Sequence, residues 1–112
     1  MINVGEYIRT DNGEIAKVIY NATNEFCYKE TLALDRVVSV NNSEFIYRDD
    51  IVKHKTNITN LIQVGDFVNG ERVTDIMDNG VGTEMGRFIA KEHIETILTH
   101  EMYEQNCYKI GE

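Results

Sequence analysis

The chain has 112 residues, 42% of them hydrophobic and 27% charged, with a net charge of -8 and no proline. That apolar content excludes a disordered chain, and no apolar run approaches the ~20 residues of a membrane-spanning helix. The charge is uneven: residues 1–56 carry 7 Lys/Arg against 9 Asp/Glu, and residues 57–112 carry 4 against 10. An acidic second half repels phosphate backbones, which argues against direct nucleic-acid binding, and favours a basic protein surface. The N-terminus lacks the basic-then-apolar pattern of a secretory signal, so the expected location is the cytoplasm. There, Cys27 and Cys107 are expected as free thiols, with a disulfide between them as the alternative.

Near the start of the chain stands Val4-Gly5-Glu6-Tyr7-Ile8, and Val64-Gly65-Asp66-Phe67-Val68 repeats it. Each copy follows Ile-x (Ile2, Ile62) and precedes Asn-Gly-Glu, at 12–14 and 69–71. Glycine gives a permissive backbone, and the aromatic and β-branched residues fall on opposite faces of a strand. The acid is expected to face water. Two related β-modules follow, 1–56 and 57–112, each marginal alone and expected to pack together.

Turn chemistry orders the elements. Asp11-Asn12-Gly13 joins a strand at Tyr7 to one over Ile15–Tyr20. Asn41-Asn42-Ser43 joins Val37–Val40 to Phe45–Tyr47. Asn57 caps a short turn before the second copy of the repeat. Asn69-Gly70 then leads into Arg72–Met77, and Asp78-Asn79-Gly80 into Val81–Met85, with both phrases expected at positive φ. Gly86 ends that strand or forms a bulge before Arg87–Ile89. Thr99 can cap a helix through Asn106, and Cys107–Ile110 reads as a short strand or an extended tail. Successive hairpins indicate an antiparallel meander or barrel.

Catalytic motifs are missing. His54, His93, His100 and the two cysteines have no paired metal-ligand spacing. Asp49 and Asp50 would point to opposite faces if they lay on a strand, and they are expected in a solvated turn after Tyr47. Cys27 has no activating neighbour in sequence. Gly80-x-Gly82-x-x-x-Gly86 lacks phosphate-loop spacing and belongs to a hairpin. No enzyme activity, metal or cofactor is expected.

Two surfaces can bind. The acids Asp66, Glu71, Asp75, Asp78 and Glu84 fall on the second module's hairpins and form a candidate protein interface. The alternative is a nucleotide face of the first module, formed by Tyr7, Arg9, Arg36, Tyr47 and Arg48. Most of the ten aromatic residues are expected to fill the core.

Three stretches carry a resemblance: Val4-Gly5-Glu6-Tyr7-Ile8-Arg9-Thr10 with Gly13, Ile15, Lys17 and Val18; Asn57 with Leu61-Ile62 and Val64 to Gly70; and Ile97-Leu98-Thr99 with Glu101, Tyr103 and Glu104. The chain resembles small proteins encoded by phages and prophages of low-GC Gram-positive bacteria. That resemblance implies a mainly β fold of two small SH3-like or meander modules packed together, with a short C-terminal helix. It also implies a phage setting within the host cytoplasm, and it carries over no functional residue. The expected function is non-enzymatic: binding and inhibiting a host defence protein with a basic surface, as anti-CRISPR proteins do, by acidic mimicry of nucleic acid. Sequestration of a cyclic nucleotide immune signal, or a structural or regulatory accessory role, is the alternative. No membrane partner is expected, and a homodimer is left open.

Overall fold

The computed structural model describes residues 2–23, 30–107 and 110. Cys27, Phe26, Tyr28 and Tyr108 therefore lie outside the described residues, as does half of the expected Cys107–Ile110 strand. Two compact units divide the chain, residues 1–61 and 62–112. The boundary falls after Leu61 rather than after Thr56. The reason is Arg9, whose Nη1 donates to the Leu61 carbonyl at 2.9 Å and ties the short turn Ile58–Leu61 to the first unit. Asn57 caps that turn as expected, its Oδ1 accepting from the Thr59 amide at 3.0 Å.

The first unit holds β1 (Tyr7–Thr10), β2 (Ile15–Asn21), β3 (Thr31–Val38), β4 (Ser43–Tyr47) and β5 (Ile51–Lys55), in the order β4-β3-β2-β1-β5. The second holds β6 (Phe67–Val68), β7 (Glu71–Met77), β8 (Gly80–Thr83), β9 (Phe88–Ala90) and β10 (Ile97–Leu98), in the order β10-β6-β7-β8-β9. A seven-residue helix, α1 (His100–Asn106), follows. Every strand pair is antiparallel. In both units the fifth strand returns beside the first. In both, a three-residue 3₁₀ turn links the fourth and fifth strands, at Arg48–Asp50 and at Lys91–His93. The same strand order is therefore used twice. Neither sheet closes into the barrel the hairpins suggested, because β4 and β5, and β9 and β10, remain edges. Among the described residues, no helix is long and apolar enough to cross a membrane.

The repeated phrase builds the same corner twice. Gly5 and Gly65 adopt φ of +94° and +98°, where a Cβ would be strained. The Gly5 amide donates to the Val18 carbonyl at 2.8 Å, and the Gly65 amide to that of Val73 at 2.9 Å. The Val18 and Val73 amides donate back to the Glu6 and Asp66 carbonyls, both at 2.8 Å. Just beyond, both second strands carry an irregularity, between Val18 and Tyr20 and between Val73 and Asp75. A bulge of this kind reverses which face successive side chains take. Val18 and Val73 thus enter the core, whereas Tyr20 and Asp75 stand on the outer face.

The core of the first unit is aliphatic: Ile2, Ile8, Val18, Leu32, Leu34, Ile46 and Ile51 lead it. Ile62, Val68, Val73, Val81 and Ile89 occupy the second. The expected aromatic interior is therefore overturned. Tyr7 and Phe67 are half-buried, and Tyr20, Phe45, Tyr47, Phe88 and Tyr103 are exposed. The physical reason lies in register. Phe45 faces Ala33 and Phe88 faces Gly82 on the outer side of their sheets, and the aliphatic residues that alternate with them along each strand fill the two separate cores.

Asn69 and Gly70, both at positive φ (+52° and +83°), form the mirror-image turn expected of Asn-Gly. Gly80 does not follow the positive-φ expectation. Its smallness answers a close approach instead: a Cβ there would lie 2.2 Å from the Ile89 carbonyl oxygen and 2.8 Å from Phe88 Cζ. Gly80→Ala must push a backbone strand aside. It is expected to cost about 1–3 kcal/mol, read as a lowered midpoint in urea unfolding. Gly82→Ala, whose Cβ would meet nothing closer than 3.4 Å, should cost less.

Candidate functional site

The acid of the repeated phrase does not face water. Glu6 is 9% exposed and Asp66 is fully buried. The reason is local: the residue three positions earlier presents an amide that needs an acceptor. Glu6 Oε2 accepts from the Asn3 amide at 2.6 Å, and Asp66 Oδ2 from the Gln63 amide at 2.8 Å. A carboxylate satisfied in this way tolerates burial.

Each buried acid also meets a histidine. His54, on β5, places Nδ1 2.7 Å from Glu6 Oε1. His100, at the start of α1, places Nδ1 2.9 Å from Asp66 Oδ1 and donates its own amide to the same oxygen at 2.9 Å. The two histidines arrive from different elements, a strand and a helix, yet reach the equivalent carboxylate. Thr99 positions the second by capping α1, its Oγ1 accepting from the Met102 amide at 3.3 Å. The His100 ring packs over Gly65, where a Cβ would stand 3.8 Å away. The other ring nitrogen, Nε2, lies 3.4 Å from Glu101 Oε2. Asp66, His100 and Glu101 form a group whose donor atoms could converge on a metal ion. Residue spacing alone concealed it, because Asp66 and His100 are brought together by the fold.

The five acidic interface candidates separate. Asp66 is removed from the surface because it is spent on the Gln63 and His100 amides. Glu71 is half-buried, accepts from Thr83 Oγ1 at 2.9 Å and pairs with Arg87 at 3.6 Å. Asp75, Asp78 and Glu84 are exposed on the β7–β8 and β8–β9 hairpins. Asp75 shares the outer face with two apolar side chains, Met77 and Phe88, which are 45% and 48% exposed. Gly80 and Gly82 floor this face. A Cβ at Gly82 would touch Asp75 Oδ2 at 3.4 Å and Met77 Cε at 3.5 Å.

The nucleotide set does not gather. Arg9 is fully buried, with its Nη1 engaged by Leu61. Its position on β1, facing Lys53 of β5 and the Ile58–Leu61 turn, turns it inward. Tyr7 is half-buried with Lys17 Nζ 5.7 Å from its ring centre. Tyr47 lies on β4, separated from β1 by two strands, or about 14 Å at normal strand spacing. Arg36 pairs with the adjacent Asp35, and Arg48 Nη1 donates to the Ile51 carbonyl at 3.0 Å. What the first unit does share on one face is Tyr20, Phe45 and Tyr47, around Ala33 and Thr31.

Sequence reading missed a second repeat. Phe45-Ile46-Tyr47-Arg48-Asp49-Asp50-Ile51 matches Phe88-Ile89-Ala90-Lys91-Glu92-His93-Ile94. Both copies run from the fourth strand through the 3₁₀ turn, and both close it with an isoleucine amide, donating to Arg48 and Lys91. The signal was available as Phe-Ile-x-base-acid-x-Ile. Comparison with protein-family models, with curated proteins and with solved structures gives no match.

Burial raises the Glu6 pKa, but hydrogen bonds from His54 and Asn3 and the His54 charge outweigh it, leaving the carboxyl below its ordinary 4.5. A lowered pKa contributes stability above the unfolded value and loses it as pH falls through the folded one. Urea unfolding should therefore show stability falling between about pH 5 and pH 3 more steeply in the wild type than in Glu6→Gln. Equal slopes would remove Glu6 from the acid transition.

Proposed function

We propose that this protein is a non-enzymatic binding module whose second unit docks on a basic surface of a partner protein. The observation that carries the reading is the outer face of β7–β9. There Met77 and Phe88 stand exposed over glycines, beside Asp75 and close in sequence to Asp78. Exposed Phe and Met with an acidic rim are the ingredients of a small interface: the apolar side chains supply burial, and the acids steer and orient. An acidic half of net -6 adds long-range attraction to a basic partner. The interface is revised from the sequence expectation. Asp75, Asp78 and Glu84 remain in it, Glu71 stands at its margin, and Asp66 leaves it.

The phage resemblance narrows the partner to a host defence protein that handles nucleic acid. Acids held on short hairpins would then occupy part of a channel meant for phosphates, as an anti-CRISPR protein can. Sequestration of a cyclic nucleotide loses support with the burial of Arg9 and the separation of Tyr7 from Tyr47.

The test is binding to the effector nuclease of a CRISPR system from a low-GC Gram-positive host, followed by calorimetry and by inhibition of DNA cleavage. Asp75→Lys with Asp78→Lys should weaken binding well over tenfold, chiefly through slower association, and added salt should weaken wild-type binding in parallel. Phe88→Ala should weaken it by about 2 kcal/mol or more, through faster dissociation. Binding indifferent to all three changes would remove this face from the interface. No binding to such effectors would remove the CRISPR assignment while leaving the docking face to be tested with other basic partners.

A further inference from the structure

We propose that His100 and Glu101 bind a divalent first-row transition cation such as Zn²⁺, with Asp66 as the carboxylate that orients the imidazole. The site is independent of the docking face.

The donors are already arranged for it. Asp66 is fully buried and fixed by the Gln63 and His100 amides, so it does not swing away from the ring. Its Oδ1 lies 2.9 Å from His100 Nδ1, and an acceptor there selects the tautomer with the proton on Nδ1. The Nε2 lone pair then points outward, on the side of Glu101. A histidine that donates one ring N–H to a carboxylate and offers the other nitrogen outward is the usual arrangement of a metal-ligating imidazole.

The second donor fits in distance. Zinc binds imidazole nitrogen at about 2.0–2.1 Å and carboxylate oxygen at about 2.0–2.2 Å, so two such ligands at a tetrahedral angle stand about 3.4 Å apart. The separation of His100 Nε2 from Glu101 Oε2 is 3.4 Å. Two acceptors at that range repel unless a proton or a cation lies between them. Both side chains are partly exposed, 33% and 23%, so a hydrated ion can reach them and keep water or a partner's ligand in its remaining positions. Imidazole with carboxylate suits zinc, cobalt and nickel rather than calcium or magnesium.

The molecule carries its own control. His54 meets Glu6 in the same way, but the first unit gathers no third ligating side chain among the described residues. Full-length protein stripped with a chelator should take up one Co²⁺ or Zn²⁺ per chain, followed by calorimetry and by the Co²⁺ absorption spectrum. Glu101→Gln should weaken uptake at least about tenfold, the loss typical even of an outer-shell partner. His100→Gln should abolish it, and His54→Gln should leave it intact. Glu101→Gln alters a partly exposed side chain and keeps its shape, so its result stands even if His100→Gln folds poorly. Absence of uptake, with only a proton between the two side chains, overturns the proposal. So does uptake undiminished in Glu101→Gln.

Discussion

A carboxylate buried behind a left-handed glycine organises each unit. The glycine turns the chain so that its own amide reaches the second strand, and the next residue's carbonyl receives an amide back. The side chain of that next residue is then inside the corner, not on the surface. An apolar side chain there would leave the Asn3 or Gln63 amide without its side-chain acceptor, at a cost comparable to a lost hydrogen bond. An acid satisfies it and retains lone pairs for a histidine. The start of the first strand and its pairing with the second follow from this corner.

On that shared skeleton the two outer faces have diverged. Equivalent register positions hold Tyr20 in one unit and Asp75 in the other, Ala33 and Gly82, Tyr47 and Ala90. Only phenylalanine is kept, at Phe45 and Phe88, and it is exposed in both. The first unit therefore presents an aromatic face and the second a thinner, acidic one. The stability of each unit rests on aliphatic residues beneath, so the outer positions are free to change without emptying the core.

Much of the fold was legible because it was written in backbone chemistry. Asn-Gly at 69–70, the glycines of the repeat and the caps Asn57 and Thr99 each demand one conformation that few residues supply. Side-chain direction was less legible, because one bulge in β2 and one in β7 reverse it. Alternation carried through that point would bury Tyr20 or Asp75, and nothing in the local sequence marks the extra residue. Charge misled for a similar reason. Arg9 and Asp66 read as surface residues, since ionised groups are rarely buried without partners. Their partners, Leu61 and His100, lie far along the chain.

The histidine pairs show how the same corner meets different neighbours in its two copies. In the first unit the histidine comes from the middle of a strand, and its sequence neighbours Lys53 and Lys55 are basic. In the second it comes from the first turn of a helix, where an acid is favoured next to the N-terminus by the helix dipole. Glu101 thus has a structural reason to be beside His100, and that reason brings a second oxygen to the ring's outer nitrogen. A feature of helix stability and a feature of turn stability, Glu101 and Asp66, meet on opposite sides of one imidazole. The group arises from two ordinary folding requirements that coincide in the second unit, the more acidic half of the sequence.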